Sequence, residues 1–349
     1  MSVSQPLGNG ELKVPAGRRV ALGIVAALLV GIGVVLLIAR AAGFVRVRDV
    51  IDEADPTWFF VCFFAEVAAF SAYAVVVREA LRWRGGPEPG FGLSAHVTLA
   101  SLGATRIVAA SGAGGLAVAY WCFRRARFST DEAVVRVVGL NTLVYLVFAV
   151  GAWVAALIAT VLGTAPLGLT VPWLVVVPAC IVAARVVTEP GRVERLSRPA
   201  GSILRRGLAY AIAGTAWVRA VLPHAGGRRA LAAAAVYWAG DVVCLWAALR
   251  SVDVSLSPSE LVLAYATGYV AMILPLPFGG LGSVDAAMTY ALTAVGVPLA
   301  PALVGVAVYR LFGFWVPTIP ALAALALLPR AGRGLERAAA ATSAPAVAA

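Results

Sequence analysis

The sequence predicts an all-α polytopic membrane protein built from two inverted-topology repeats, each with three spans and one re-entrant helical hairpin. Composition is the first observation: 61% of the 349 residues are hydrophobic and 13% charged, and the mean hydropathy is +0.91. A soluble domain is roughly 45–50% apolar and about 25% charged. The second is a set of six apolar runs, each long enough for a hydrocarbon core that takes about 20 helical residues to cross. The third is a pair of regions in which two apolar arms flank a glycine-rich break, at 94–123 and 261–295.

The spans are placed at Val20–Ala42, Trp58–Val77, Val134–Leu162, Val171–Val187, Ala230–Leu249 and Ala302–Leu328. The first follows Arg18 and Arg19 and is too long for the apolar region of a signal peptide, which is about 7–15 residues. The hairpin at 94–123 breaks at Ser111–Gly115, with Gly112, Gly114 and Gly115 at its tip. The hairpin at 261–295 breaks at Pro275–Gly282, with Pro275, Pro277, Gly279, Gly280 and Gly282 at its tip.

Charge sets the orientation. Five segments are rich in arginine: the N-terminal residues 1–19, Arg78–Arg84, Arg124–Arg127, Arg185–Arg229 and the tail after Arg330. The alternate connections are acidic, neutral or nearly so. By the positive-inside rule both termini are cytoplasmic, in what reads as a multi-pass protein of a bacterial plasma (inner) membrane.

The order span, span, hairpin, span then occurs twice, at 20–163 and again at 171–328. Three crossings per half make the second half enter the membrane upside down, the plan of many transporters. Ala113-Gly-Gly-Leu116 and Phe278-Gly-Gly-Leu281 share a GGL core, each at the start of a second arm. Between the halves lies a basic cytoplasmic loop, 188–229, on which Leu204, Leu208 and Ile212 could share one amphipathic face. Residues 329–349 read as a disordered cytoplasmic tail, Ala-rich toward its end.

The residue types exclude several functions. The net charge of +11 lies in loops that flank apolar runs, and no soluble basic domain is present to bind nucleic acid. Cys62, Cys122, Cys180 and Cys244 occur singly, and His96 and His224 are isolated, so neither a metal site nor a cofactor is called. No HExxH, Walker loop or comparable signature marks an enzyme.

The informative residues are charges inside apolar runs, each costing at least ~2.5–3.5 kcal/mol at mid-membrane unless paired or hydrated. They are Glu66, Arg106, Asp241, Asp285 and Arg310. Glu66 and Asp241 each lie in the span before a hairpin, and Arg310 lies in the span after the second. Asp285 with Arg310, and Glu66 with Arg106, are the expected ion pairs. They could be purely structural, or they could form a substrate site at the pseudo-two-fold axis. In the second case, a helix that restarts after a glycine break presents free N–H groups, and arginine adds a bidentate donor, so the site suits an anion. A negatively charged amphiphile and a proton-coupled solute both remain open on these residues.

The stretch Leu274-Pro-Leu-Pro-Phe-Gly-Gly-Leu-Gly-Ser-Val-Asp285 resembles the flippase-like membrane domain of lysylphosphatidylglycerol synthases and their stand-alone relatives. That family carries Pro-x-Pro-Gly-Gly-Leu-Gly-x-x-Glu, then a Gly-Val turn and a Tyr-Arg in the last span, matched here by Gly296-Val297 and Tyr309-Arg310. Ala80-Leu-Arg-Trp83, Gly112–Gly115 followed by Arg124-Arg125, and Trp238-Ala-Gly-Asp241 are similar as well. Three features depart from the pattern: Phe278, Asp285 in place of the glutamate, and a first tip without proline. The resemblance implies movement of an anionic lipid or lipid-linked headgroup between leaflets, with membrane lipids as partners and no lipid aminoacylation. A non-catalytic subunit supporting an envelope glycosyltransferase or lipid-modifying enzyme is the alternative, and a small-solute secondary transporter comes third.

Overall fold

The computed structural model describes residues 42–107, 112–196, 202–273 and 282–343, with residues 33, 36, 37 and 40 of the preceding segment. Among these the protein is helical throughout, with no strand. The segment 1–19 and most of the first predicted span lie outside the described residues.

A short helix α1 (Phe44–Asp52) leads into α2 (Thr57–Arg82). Then come α3 (Phe91–Ile107), α4 (Ala113–Arg125), α5 (Thr130–Leu162) and α6 (Leu167–Val187). The second half holds α7 (Pro190–Leu196), α8 (Ile203–Val221), α9 (Ala225–Arg250), α10 (Pro258–Val270), α11 (Ser283–Ala294) and α12 (Leu299–Arg310). A π-helical turn, Leu311–Trp315, joins α12 to α13 (Val316–Ala326), and α14 (Leu328–Ser343) ends the described chain. Among the described residues, five helices are long and apolar enough to cross a membrane: α2, α5, α6, α9 and the continuous run Leu299–Ala326. These are the five later predicted spans. Large apolar side chains such as Phe60, Val161 and Ile319 are 70–76% exposed on them, a surface suited to lipid and costly in water.

The helix ends follow local chemistry. Ser129 caps α5 and Ser257 caps α10, each in a reciprocal capping box with the glutamate three residues on, Glu132 and Glu260. These boxes satisfy two N–H groups apiece at the helix start. Gly112 (φ 84°) and Gly282 (φ 85°) stand at the N-caps of α4 and α11. Both angles are in the left-handed region, which glycine enters without the Cβ penalty.

At the heart of the molecule α2 and α9 pack along each other. Small residues permit the approach: a Cβ on Gly240 would meet the Ala65 carbonyl oxygen at 2.7 Å and Ala69 Cβ at 3.0 Å. Beside this pair stand two couples of short helices. α3 lies against α4, and α10 against α11. These four helices are 17, 13, 13 and 12 residues long, each short of a full crossing. In the second couple a Cβ on Gly268 would fall 2.5 Å from Met288 Cβ, so the backbones nearly touch.

Two expectations about loops are corrected. The basic connection is largely helical, and Ile212 does not share the surroundings of Leu204 and Leu208. Ala209, Ile212, Gly214 and Val218 are buried as α8 packs on α5, while Leu204 and Leu208 are 83% and 59% exposed. Tyr210 Oη donates to Asp131 Oδ1 at 2.6 Å, which joins the start of α5 to α8 and raises the phenol above its ordinary pKa.

The tail read as disordered is helix α14 as far as Ser343. Leu328, Ala331, Leu335 and Ala339 form its buried stripe, with the three- and four-residue spacing of one helix face. The helix lies across the ends of α3 and α4, and Arg125 Nη1 meets Glu336 Oε1 at 2.5 Å. Leu335→Asp is expected to detach this helix, read as new protease cleavage after Arg333 or Arg337 while the membrane part stays folded. Cleavage no faster than in the parent protein would contradict the docking.

Candidate functional site

A cavity of about 490 Å³ lies between the two halves, lined by residues of α2, α3, α4, α5, α9, α10, α12 and the π-helical turn. Glu66, Arg106, Asp241 and Arg310 line it together, as do the tip residues Gly112 and Gly115. Asp285 stands behind Arg310. Gly114 is buried in α4. Pro275, Pro277, Gly279 and Gly280 lie outside the described residues.

The expected Asp285–Arg310 pair forms, with Nε 2.8 Å from Oδ1. Its alignment is that of an ion pair and not of a directed hydrogen bond, since neither atom has a hydrogen-bond partner in line. The other carboxylate oxygen, Oδ2, accepts the Gly282 N–H at 2.8 Å. As the third residue of α11, Asp285 therefore closes the helix start and holds Arg310 at once, an arrangement that also suits the helix dipole. Glycine has no side chain to return the bond, so this is half of a capping box.

The expected Glu66–Arg106 pair does not form. Arg106 Nη2 donates instead to the Gly313 carbonyl at 3.3 Å. That carbonyl is free because of Pro317, four residues on, which lacks the N–H that an unbroken helix would supply. The π-helical turn at Leu311–Trp315 is the local consequence, a feature that often accompanies functional sites. Phe314 in the same turn sits under both arginines: the guanidinium carbon of Arg106 is 3.7 Å from the ring centroid and that of Arg310 is 4.6 Å away. Cation–π attraction from one ring thus gathers two like charges.

Neither guanidinium is satisfied. Among the described residues Arg106 Nε and Arg310 Nη2 are buried without a hydrogen-bond partner. Buried donors are nearly always paired in folded proteins.

Asp241 is held by two phenols. Tyr309 Oη donates to Oδ1 at 3.0 Å and Tyr265 Oη donates to Oδ2. Glu66, on the facing helix α2, lines the same cavity as Asp241. Its Oε1 is buried with no partner. Around the acids Tyr145, Phe148, Tyr237, Trp238 and Tyr269 form a continuous aromatic cluster, tied to the backbone by Trp238 Nε1 donating to the Val144 carbonyl at 2.8 Å.

Sequence reasoning missed the tyrosines and Phe314 as parts of the site. Tyr309 stood beside Arg310 in the quoted motif, and Phe314 one turn beyond it, but aromatic side chains in an apolar span cost nothing and so draw no notice. Arg136, in the second turn of α5, is a further buried cation. It donates to the Ala80 and Trp83 carbonyls at 3.0 and 3.2 Å and lies on the Phe128 ring at 3.9 Å. It closes the C-terminal end of α2 and does not reach for the surface.

Tyr309→Phe is expected to cost about 1–3 kcal/mol, the penalty for leaving one buried carboxylate oxygen without its donor. Thermal unfolding in detergent measures it. An unchanged midpoint would mean that Asp241 is satisfied elsewhere.

No individually curated protein matches the chain. A family model described as the lysylphosphatidylglycerol synthase TM region matches residues 24–321, which takes in both helix couples and every residue of the cavity. The chain belongs to the lysylphosphatidylglycerol synthase transmembrane-region family.

Proposed function

We propose that the protein moves an anionic lipid or lipid-linked headgroup between leaflets of a bacterial inner membrane, binding the headgroup phosphate between Arg106 and Arg310. One observation carries this reading: two buried guanidiniums on one aromatic ring, each with a donor left open, face a cavity of about 490 Å³. A phosphate supplies several acceptor oxygens and one or two negative charges, which satisfies both donors and relieves their mutual repulsion. A lipid fits better than a free anion because Leu116, Tyr145 and Val270 in the cavity wall are 41–46% exposed at the surface. An acyl chain could leave sideways past them into the bilayer.

In this reading the halves are inverted repeats, with α2, α3, α4 and α5 equivalent to α9, α10, α11 and the α12–α13 run. The packing supports the exchange: α3 lies on α13 as α10 lies on α5, α4 lies on α5 as α11 lies on α12, and α2 lies on α3 as α9 lies on α10. The glycine N-caps of α4 and α11, with φ 84° and 85°, are a further match. The short couples α3–α4 and α10–α11 are then re-entrant hairpins, the first with Gly112 in the cavity wall, and both termini are cytoplasmic. The protein acts on membrane lipids without a reaction or cofactor of its own.

The test is headgroup exchange of fluorescent phosphatidylglycerol in proteoliposomes, followed by dithionite quenching. Arg106→Ala is expected to slow exchange about tenfold or more, the loss of one charge-assisted hydrogen bond. A folded Arg106→Ala variant with the parent rate would overturn the site.

A further inference from the structure

We propose that Glu66 and Asp241 form a shared-proton site on the seam between the halves, at which the protein takes up and releases one proton as the seam opens and closes.

The argument begins with the crossing of α2 and α9. Gly240 lies against Ala65 and Ala69, so the next residue on each helix, Asp241 and Glu66, emerges at the closest approach of the two backbones. One turn away Cys62 Sγ donates to the Cys244 carbonyl at 3.5 Å, which fixes the register of the two helices. Glu66 Oε1 is 3.1 Å from the position of a Cβ on Gly313, beside Tyr309, whose hydroxyl donates to Asp241. Two carboxyl groups thus face one pocket from adjoining helices. Two like charges buried side by side cannot both ionise cheaply, and one shared proton removes the repulsion.

Among the described residues the pocket holds one cation, Arg106, that no carboxylate pairs, and its charge acts on Glu66. Tyr265 and Tyr309 donate to Asp241, and Arg106 to Gly313; Arg310 is paired with Asp285. Among the described residues the other titratable groups around the pair are Tyr237 and Cys244 on α9, Tyr269 on α10, Tyr145 on α5, and Cys62 and Tyr73 on α2. None of these supplies a second charge to balance two carboxylates. A single proton shared between the two acids, together with Arg106, leaves the pocket close to neutral.

The site borders the same cavity as the two arginines. When α9 shifts along α2 the two acids part, and the proton loses its second acceptor. That this proton accompanies a lipid headgroup rests on the flippase reading above; the proton site itself rests on the geometry alone.

Infrared difference spectroscopy of the full chain in lipid at neutral pH tests the site. The protein should show a protonated-carboxyl carbonyl band that shifts down on exchange into deuterated buffer and is lost in both Glu66→Gln and Asp241→Asn. A band unchanged in these two variants, or no such band in the parent protein, would overturn the proposal, and a band that never exchanges would overturn a carrier role. Both variants are near-isosteric, and the deuterium shift of the parent protein stands even where one of them fails to fold. Coupling is read separately on the parent protein with fluorescent phosphatidylglycerol. At one proton per lipid, a gradient of about one pH unit should bias the label between leaflets by up to about tenfold. Lipid movement that ignores the gradient overturns the coupling. A parent protein that moves no lipid overturns the flippase reading, and the infrared result still decides the proton site.

Discussion

Arg310→Ala is expected to destabilise the protein by about 3–5 kcal/mol, because it strands the Asp285 carboxylate among apolar side chains. Among the described residues Asp285 then keeps only the Gly282 N–H at 2.8 Å, and the residue is 5% exposed. The effect extends to Phe314, which loses one of its two cations, and to the π-helical turn that the ring belongs to. Thermal or denaturant unfolding in mild detergent measures the loss. The double variant Arg310→Ala, Asp285→Ala removes both charges and should recover part of it, with a coupling of about 0.5–3 kcal/mol for a contacting pair. A double variant no more stable than the single one would show that the two charges do not depend on each other. Lipid exchange provides the second reading: it should stay lost in the double variant, since the phosphate ligand is absent even where stability returns.

The α2–α9 seam is the second place where a single change is expected to act strongly. Gly240→Leu has no room: its Cβ alone falls 2.7 Å from a backbone oxygen of Ala65, which is not free to swing aside as a side chain would. Overpacking of this kind costs about 1–3 kcal/mol, and more where backbone must move. Separation of the helices would also part Glu66 from Asp241 and uncouple Cys62 from the Cys244 carbonyl. Gly151, on the outer part of α5, has nothing within 4 Å of an added Cβ. Gly151→Leu is therefore the control, and equal unfolding midpoints for the two variants would show that the seam is looser than the structure has it.

Much of the fold was legible because lipid is an unforgiving solvent. A helix must satisfy its own backbone there, so the later apolar runs could only be helices, and their lengths followed from the bilayer. The Asp285–Arg310 pair was legible for the same reason, since each charge is too expensive to stand alone and both flank one glycine break. The Glu66–Arg106 pairing was not. Both residues do reach one cavity, but Arg106 finds a nearer acceptor at Gly313, freed by a proline some 200 positions along the chain. The tail was misread because its Ala-rich composition hides the spacing of Leu328, Ala331, Leu335 and Ala339, which has meaning only against the surface that α3 and α4 provide.

The sequence by itself therefore determined that this is a polytopic membrane protein, where most of its helices lie, and which charges needed a reason to be there. Tertiary structure decided which partner each charge has. Glu66 and Asp241 are 175 residues apart, and they line one cavity because Gly240 lets their two helices approach closely. The cost of burying a charge is a property of the residue and its solvent, and is written in the local sequence. The identity of its neighbour depends on how distant helices cross, and that is settled only when the whole chain packs.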